Sequence, residues 1–219
     1  MLVHIIADYG AGDLAFAEVA QRIKFYLPDA ELLLTPVPPF STLAAGFCVA
    51  QLGLNDPPAG TLIYHNVAPR EDNQEARAAN AGERLAFARL PNGVRVIGVN
   101  AGHAFSFIRE EAEELRWASV PAGGSQFRSR DLFPQAAAAI ALGRPTALAE
   151  AIRRSDIPRL PKDRIAYIDG YGNLKISREQ GNRDFPVGSL LQVEINGVRQ
   201  EAIAAGGSFE IAAGKMAFA

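Results

Sequence analysis

Apolar positions along this chain fall into two textures. Leu2–Ala7 is an unbroken apolar run of strand length, the pattern of a strand covered on both faces. Asp13 is placed to cap a helix through Leu27, with Leu14, Val19, Ile23 and Leu27 among its apolar positions. Glu31–Thr35 reads as a second strand, Phe40–Leu54 as an apolar helix, and Thr61–Val67 and Val94–Val99 as further strands. Arg130–Leu142 reads as a helix stopped at Gly143, with Pro145 beyond. Strands alternating with helices predict an α/β domain built on a parallel sheet, residues 1–158.

The texture changes after a short linker bracketed by Pro158 and Pro161. Short strands follow: Arg164–Asp169, Asn173–Ser177, Leu190–Ile195, Val198–Ala204 and Ser208–Ala212, with Asn196-Gly197 as a two-residue hairpin turn. Residues 163–219 are thus expected to form a small all-β domain, a barrel or sandwich. A unit that small is marginal alone and should pack on something. The polar stretch Arg70–Gly82 is expected to be an exposed loop or short surface helix.

Composition narrows the classes. A length of 219 residues, 48% of them hydrophobic, and a formal charge of −2 describe an ordinary globular chain. No basic run marks a nucleic-acid partner, and no apolar run reaches membrane-spanning length. The start lacks a basic, cleavable leader, so the expected location is the cytoplasm. The single cysteine, Cys48, excludes an intramolecular disulfide and a cysteine zinc cluster and reads as a buried structural thiol. His4, His65 and His103 have no metal-ligand spacing, so no metal is expected.

Two strand-ending segments carry the candidate chemistry. His4 through Asp13 ends a strand with Asp8-Tyr9-Gly10 and places Asp13 five residues on. Arg164 through Leu174 ends another in Asp169-Gly170-Tyr171-Gly172-Asn173, where two glycines permit a turn that gathers Asp169, Tyr171 and Asn173. Ligands of open α/β sheets bind beyond the carboxyl ends of the strands. Asp8 fits either a turn-capping residue or a ribose acceptor; Asp13 fits a helix cap or a ligand contact; Phe40 fits core packing or an aromatic flank.

Together these segments resemble the S-adenosylmethionine (SAM) hydroxide adenosyltransferase family, whose relatives include SAM-dependent chlorinases and fluorinases. The similarity runs in order through Asp8-Tyr9-Gly10 with Asp13, Val37-Pro38-Pro39-Phe40, Pro57 to Ile63, Phe127 to Phe133, Ile168 to Leu174 and Gly207 to Ala212. It implies a homotrimer in which each small β domain completes a neighbour's site. It implies a nucleoside pocket of Asp8, Asp13 and Phe40 from one subunit and Asp169, Tyr171 and Asn173 from another, with backbone groups at Gly206 for the adenine edge. The implied reaction is displacement at the ribose 5′ carbon of SAM by water, giving adenosine and methionine, with no cofactor beyond SAM itself. In the hydroxide-type members an Asp and a His belong to the water site; here Ala68 and Arg128 stand in their places, and Arg77 or Arg84 matches the accompanying Arg. Arg128, Ser129 and His103 are therefore the candidate catalytic positions, with His65 a further possible base. The other reading is a SAM- or adenosine-binding protein that has lost turnover. A phosphate-cradling nucleotide fold is disfavoured, because no glycine-rich phosphate loop follows the first strand.

Overall fold

The computed structural model describes residues 1–67, 69, 82–121, 125–178 and 185–219, which divide into two compact units, Met1–Ser177 and Arg178–Ala219. In the first unit, β1 (Leu2–Ala7), β2 (Glu31–Pro36), β3 (Leu62–Asn66), β4 (Leu85–Arg89), β5 (Arg95–Val99), β6 (Glu114–Ala118) and β7 (Leu148–Ala151) form one sheet in the order β2-β1-β3-β5-β4-β6-β7. The pairs β2–β1, β1–β3 and β3–β5 are parallel, as expected. The pairs β5–β4, β4–β6 and β6–β7 are antiparallel, which the alternation of helix and strand does not predict. The cause at β4–β5 is the short link through Asn92 and Gly93 (φ 82°): a turn that tight can only return the chain antiparallel.

Four helices among the described residues flank this sheet: α1 (Leu14–Tyr26), α2 (Thr42–Leu54), α3 (Arg128–Asp131) and α4 (Phe133–Ala141). Asp13 caps α1 through Ala15 N, and Ser41 caps α2 through Ala44 N. The helix expected over Arg130–Leu142 is broken at Leu132, with Pro134 in the first turn of α4.

Alternate residues of each strand feed two cores. Val3, Ile5, Tyr64, Phe87 and Ile97 pack with Phe16 and Ile23 of α1 and Phe133 of α4. Ile6, Ile63 and Val96 pack on the other face with Val49 of α2, Phe105 and Ile108. Each such side chain contributes roughly 1.5–3 kcal/mol when fully buried. His65 lies on this second face, paired across β3–β5 with Gly98. The absence of a side chain at Gly98 is what admits the imidazole: a Cβ there would lie 2.1 Å from the ring.

The hairpin β8 (Ile165–Ile168) and β9 (Leu174–Ile176) belongs to the first unit, so the division falls after Ser177 and not at Pro158–Pro161. Tyr167 stacks on Phe47 of α2 with centroids 5.5 Å apart, and buried Ser177 is tied by its hydroxyl to the Pro161 carbonyl. These contacts carry the hairpin onto the α/β unit.

The chain continues into the small β part. There β10 (Leu190–Ile195), β11 (Val198–Ala204) and β12 (Met216–Phe218) form a three-stranded sheet. Asn196 (φ 50°) and Gly197 (φ 81°) make the predicted hairpin turn. The expected strand Ser208–Ala212 is instead a 3-10 turn at Ser208–Glu210, curled as the Glu210 carboxylate accepts the Gly206 amide at 2.8 Å; the third strand falls at Met216–Phe218. No helix among the described residues is long and apolar enough to cross a membrane.

Candidate functional site

The carboxyl ends of β1, β3 and β5 gather polar groups. Asp8 follows β1 directly, and its Oδ2 accepts a hydrogen bond from Phe40 N at 3.0 Å. It therefore caps the loop after β2 and not the turn at Gly10, which is closed by the bond from Asp13 N to the Gly10 carbonyl at 2.9 Å. Phe40 sits in the left-handed region at φ 62°, an uncommon setting for a bulky residue, and its side chain is 61% exposed. Pro38 and Pro39 stiffen its approach, and the Asp8 carboxylate holds it in place. Backbone strain of this kind clusters at active sites and ligand clamps.

Asp13 is the N-cap of α1, its Oδ1 accepting from Ala15 N at 2.8 Å. Behind Asp8, Asn66 at the end of β3 donates to Tyr9 Oη at 3.0 Å. Burial, with Asp8's negative charge adding to it, raises the Tyr9 phenol above its ordinary range, so it stays protonated. Fully buried Tyr64 donates to the Ser129 carbonyl at 2.8 Å and anchors the start of α3 to the sheet. The sequence names Tyr9 only within Asp8-Tyr9-Gly10 and does not single out Asn66, although an amide closing the strand Leu62–Asn66 marks a strand end of the kind where ligands bind.

A second group follows β5. His103 N donates to Thr42 Oγ1 at 3.1 Å, and Gly102 turns at φ 45° against the same threonine. A Cβ at Gly46 of α2 would lie 2.4 Å from the His103 carbonyl, so α2 and this loop touch backbone to backbone. His103 Nδ1 lies 3.1 Å from Ser106 Oγ, which itself lies 2.8 Å from the Pro158 carbonyl. Thr42 N donates to the Phe40 carbonyl at 3.0 Å, so a run of hydrogen bonds links the His103 backbone through Thr42 and Phe40 to Asp8.

At the β8–β9 tip, Asp169 Oδ1 accepts from Tyr171 N at 2.9 Å and Asn173 N at 3.0 Å, and Oδ2 accepts from Asn173 Nδ2 at 2.8 Å. These bonds, led by that from the Asn173 side chain, hold the Asp169 carboxyl below its ordinary pKa. Asp169 and Asn173 thus meet as the sequence predicts, while the Tyr171 side chain points away, 95% exposed. Gly206, in the second unit, spends its amide on Glu210.

The remaining candidates are engaged in the scaffold. Arg128 is 8% exposed and donates to the Glu83 carbonyl at 3.1 Å and the Pro121 carbonyl at 3.0 Å, its guanidinium 5.0 Å from the Phe133 ring. Arg84 pairs with Glu150 at 2.6 Å and lies over Trp117. His65 is fully buried, neither ring nitrogen has a hydrogen-bond partner, and burial lowers its pKa to about 3. Such a ring is neutral at physiological pH and closed to solvent. Burial pushes the Cys48 thiol up to about 11, the state of an inert buried cysteine. Among the described residues no group of three His, Cys, Asp or Glu side chains could hold a metal ion. Ala68 and Arg77, and the loop expected over Arg70–Gly82 apart from its last residue, lie outside the described residues.

No family model and no curated protein matches this chain. Solved structures do. The chain is similar to an uncharacterized conserved protein from Thermotoga maritima, with a TM-score of 0.75 at 17% identity over 98% of this chain and 87% of the other. It is also similar to a conserved hypothetical protein from Thermus thermophilus, with a TM-score of 0.66 at 21% identity over 98% of this chain and 85% of that one. Likeness at such identities establishes the fold alone: an α/β domain followed by a small β part.

Proposed function

We propose that the chain binds SAM or adenosine at the carboxyl ends of β1, β3 and β5, and that it hydrolyses SAM to adenosine and methionine by displacement at the ribose 5′ carbon. The observation that carries this reading is the Asp8–Phe40 hydrogen bond. It leaves Asp8 Oδ1 for a ribose hydroxyl and fixes an exposed aromatic ring beside it, the pairing a nucleoside needs. SAM carries its own activated leaving group, so positioning the nucleophile supplies much of the rate. A second reading, nucleoside binding without turnover, is favoured by Arg128 and His65: one is spent on backbone carbonyls and the other is sealed in the core.

Calorimetry against SAM and adenosine tests the site. Asp8→Ala should weaken both by roughly 1.5–3 kcal/mol, about 10- to 150-fold. Asp8→Asn, which keeps an acceptor for Phe40 N, should lose less. Parental affinity in a folded Asp8→Ala variant would remove the ribose assignment.

The proposal includes a homotrimer in which Asp169, Tyr171 and Asn173 of one copy complete the site of the next. In the single chain Ile168 and Tyr171 at the hairpin tip are open to solvent, and so, in the second unit, is Phe209. Exposed apolar groups of this size suit an interface. Light scattering at micromolar concentration should give the trimer mass; a monomer there would refute this part.

A further inference from the structure

We propose that His103 takes the proton from the attacking water through Nε2, and that Ser106 fixes it for that task. The proposal rests on the SAM-hydrolysing reading above. A serine hydroxyl owns one proton. Ser106 is 5% exposed, and its Oγ lies 2.8 Å from the carbonyl oxygen of Pro158, which can only accept. The proton goes there. The contact of Ser106 Oγ with His103 Nδ1 at 3.1 Å then has one remaining sense: Nδ1–H donates to the serine. Neutral imidazole carries one N–H, so the lone pair is on Nε2, which has no partner among the described residues.

The base is held at both ends. Its backbone amide is tied to Thr42 Oγ1, its carbonyl abuts Gly46, and its ring is fixed by Ser106. A base oriented by a third group is the general form of an activated water or nucleophile site. Neither His65 nor Arg128 offers this: the first is buried without access, and the second stays protonated. In the step, the water oxygen attacks C5′ of SAM and the C5′–S bond breaks. The bonding pair goes to sulfur, the sulfonium becomes the neutral thioether of methionine, and the water proton goes to Nε2. The imidazolium then releases that proton to solvent, leaving adenosine, methionine and one proton. Ser106 touches no reacting atom; it is a positioning residue.

Two measurements on the full chain test this. Ring-nitrogen NMR of 15N-labelled protein should show His103 as the Nδ1–H tautomer. Ser106→Ala should abolish that preference and Ser106→Thr restore it. A wild-type Nε2–H tautomer overturns the proposal whatever the ligand. In the second measurement, His103→Asn keeps a donor for Ser106 Oγ and removes Nε2. It should bind SAM as the parent does and release adenosine about 10²–10⁴-fold more slowly. Undiminished turnover in that variant overturns the base role and leaves the SAM reading standing. Wild-type protein that binds SAM but forms no adenosine also overturns the base role, while nucleoside binding survives. Wild-type protein that binds neither SAM nor adenosine ends the nucleoside reading, and the proposal with it.

Discussion

Taking the protein from pH 7 to about pH 4 should remove about 3 kcal/mol of folding stability through His65 alone. The folded pKa is about 3, because the ring is fully buried with both nitrogens unpartnered. The unfolded value is the ordinary 6.5. Between these values the unfolded chain binds a proton that the folded chain refuses. Stability therefore rises with pH through this window and levels off above about 6.5. Carboxylates held below their ordinary pKa, such as Asp131 at about 2, add to the loss only near and below pH 4. Burial also lowers His4, which works in the same direction. The test is urea unfolding at several pH values for wild type and His65→Leu. The variant should lose most of the slope between about pH 6.5 and pH 5, where wild type loses up to about 1.4 kcal/mol per unit through His65. Equal slopes in the two proteins would mean that the ring is hydrated or bonded in solution.

Removing the Arg128 guanidinium should cost roughly 2–4 kcal/mol. It ties Glu83, just before β4, to Pro121, beyond β6, through two carbonyls, and lies over Phe133. Gly82 makes room for it: a Cβ there would lie 2.8 Å from Nη1. Arg128→Met keeps the stem and loses both bonds, leaving two carbonyls to find water. Arg128→Lys, a single point donor, cannot serve both and should fall between. For the same reason Arg128→His, which would restore the histidine of the hydroxide-type pattern, should destabilise the chain before it changes chemistry. A urea midpoint for Arg128→Met within error of the parent would show that the clamp is not formed in solution.

What could be read in the sequence follows from how local each cause is. Leu2–Ala7 and Leu62–Asn66 declare themselves because both faces are covered and most positions are apolar. β6 alternates Glu114 and Arg116 with Leu115 and Trp117, a strand period that was legible but went unread, whereas β7 has only four residues and no clear period. The β4–β5 turn did carry a signal, Asn92-Gly93, and with it the antiparallel pairing of β4 with β5 was within reach. The Asp8–Phe40 bond joins residues 32 apart and needs the parallel register of β1 and β2. The His65–Gly98 fit is a cross-strand accident of register with no local mark. His103 and Ser106 are three residues apart, but the Pro158 carbonyl that settles their proton comes from a distant loop.

The strand order β2-β1-β3-β5-β4-β6-β7 has a bearing on synthesis. Once β1 and β2 have paired, β3 joins the free side of β1, the β4–β5 hairpin adds beyond it, and β6 and β7 follow in turn. Every addition is made at the same growing margin, and no late strand must be wedged between two already joined. A chain leaving the ribosome amino end first can therefore lay down this sheet by simple accretion, with the loops around Asp8 and Phe40 in place before the His103 loop is translated.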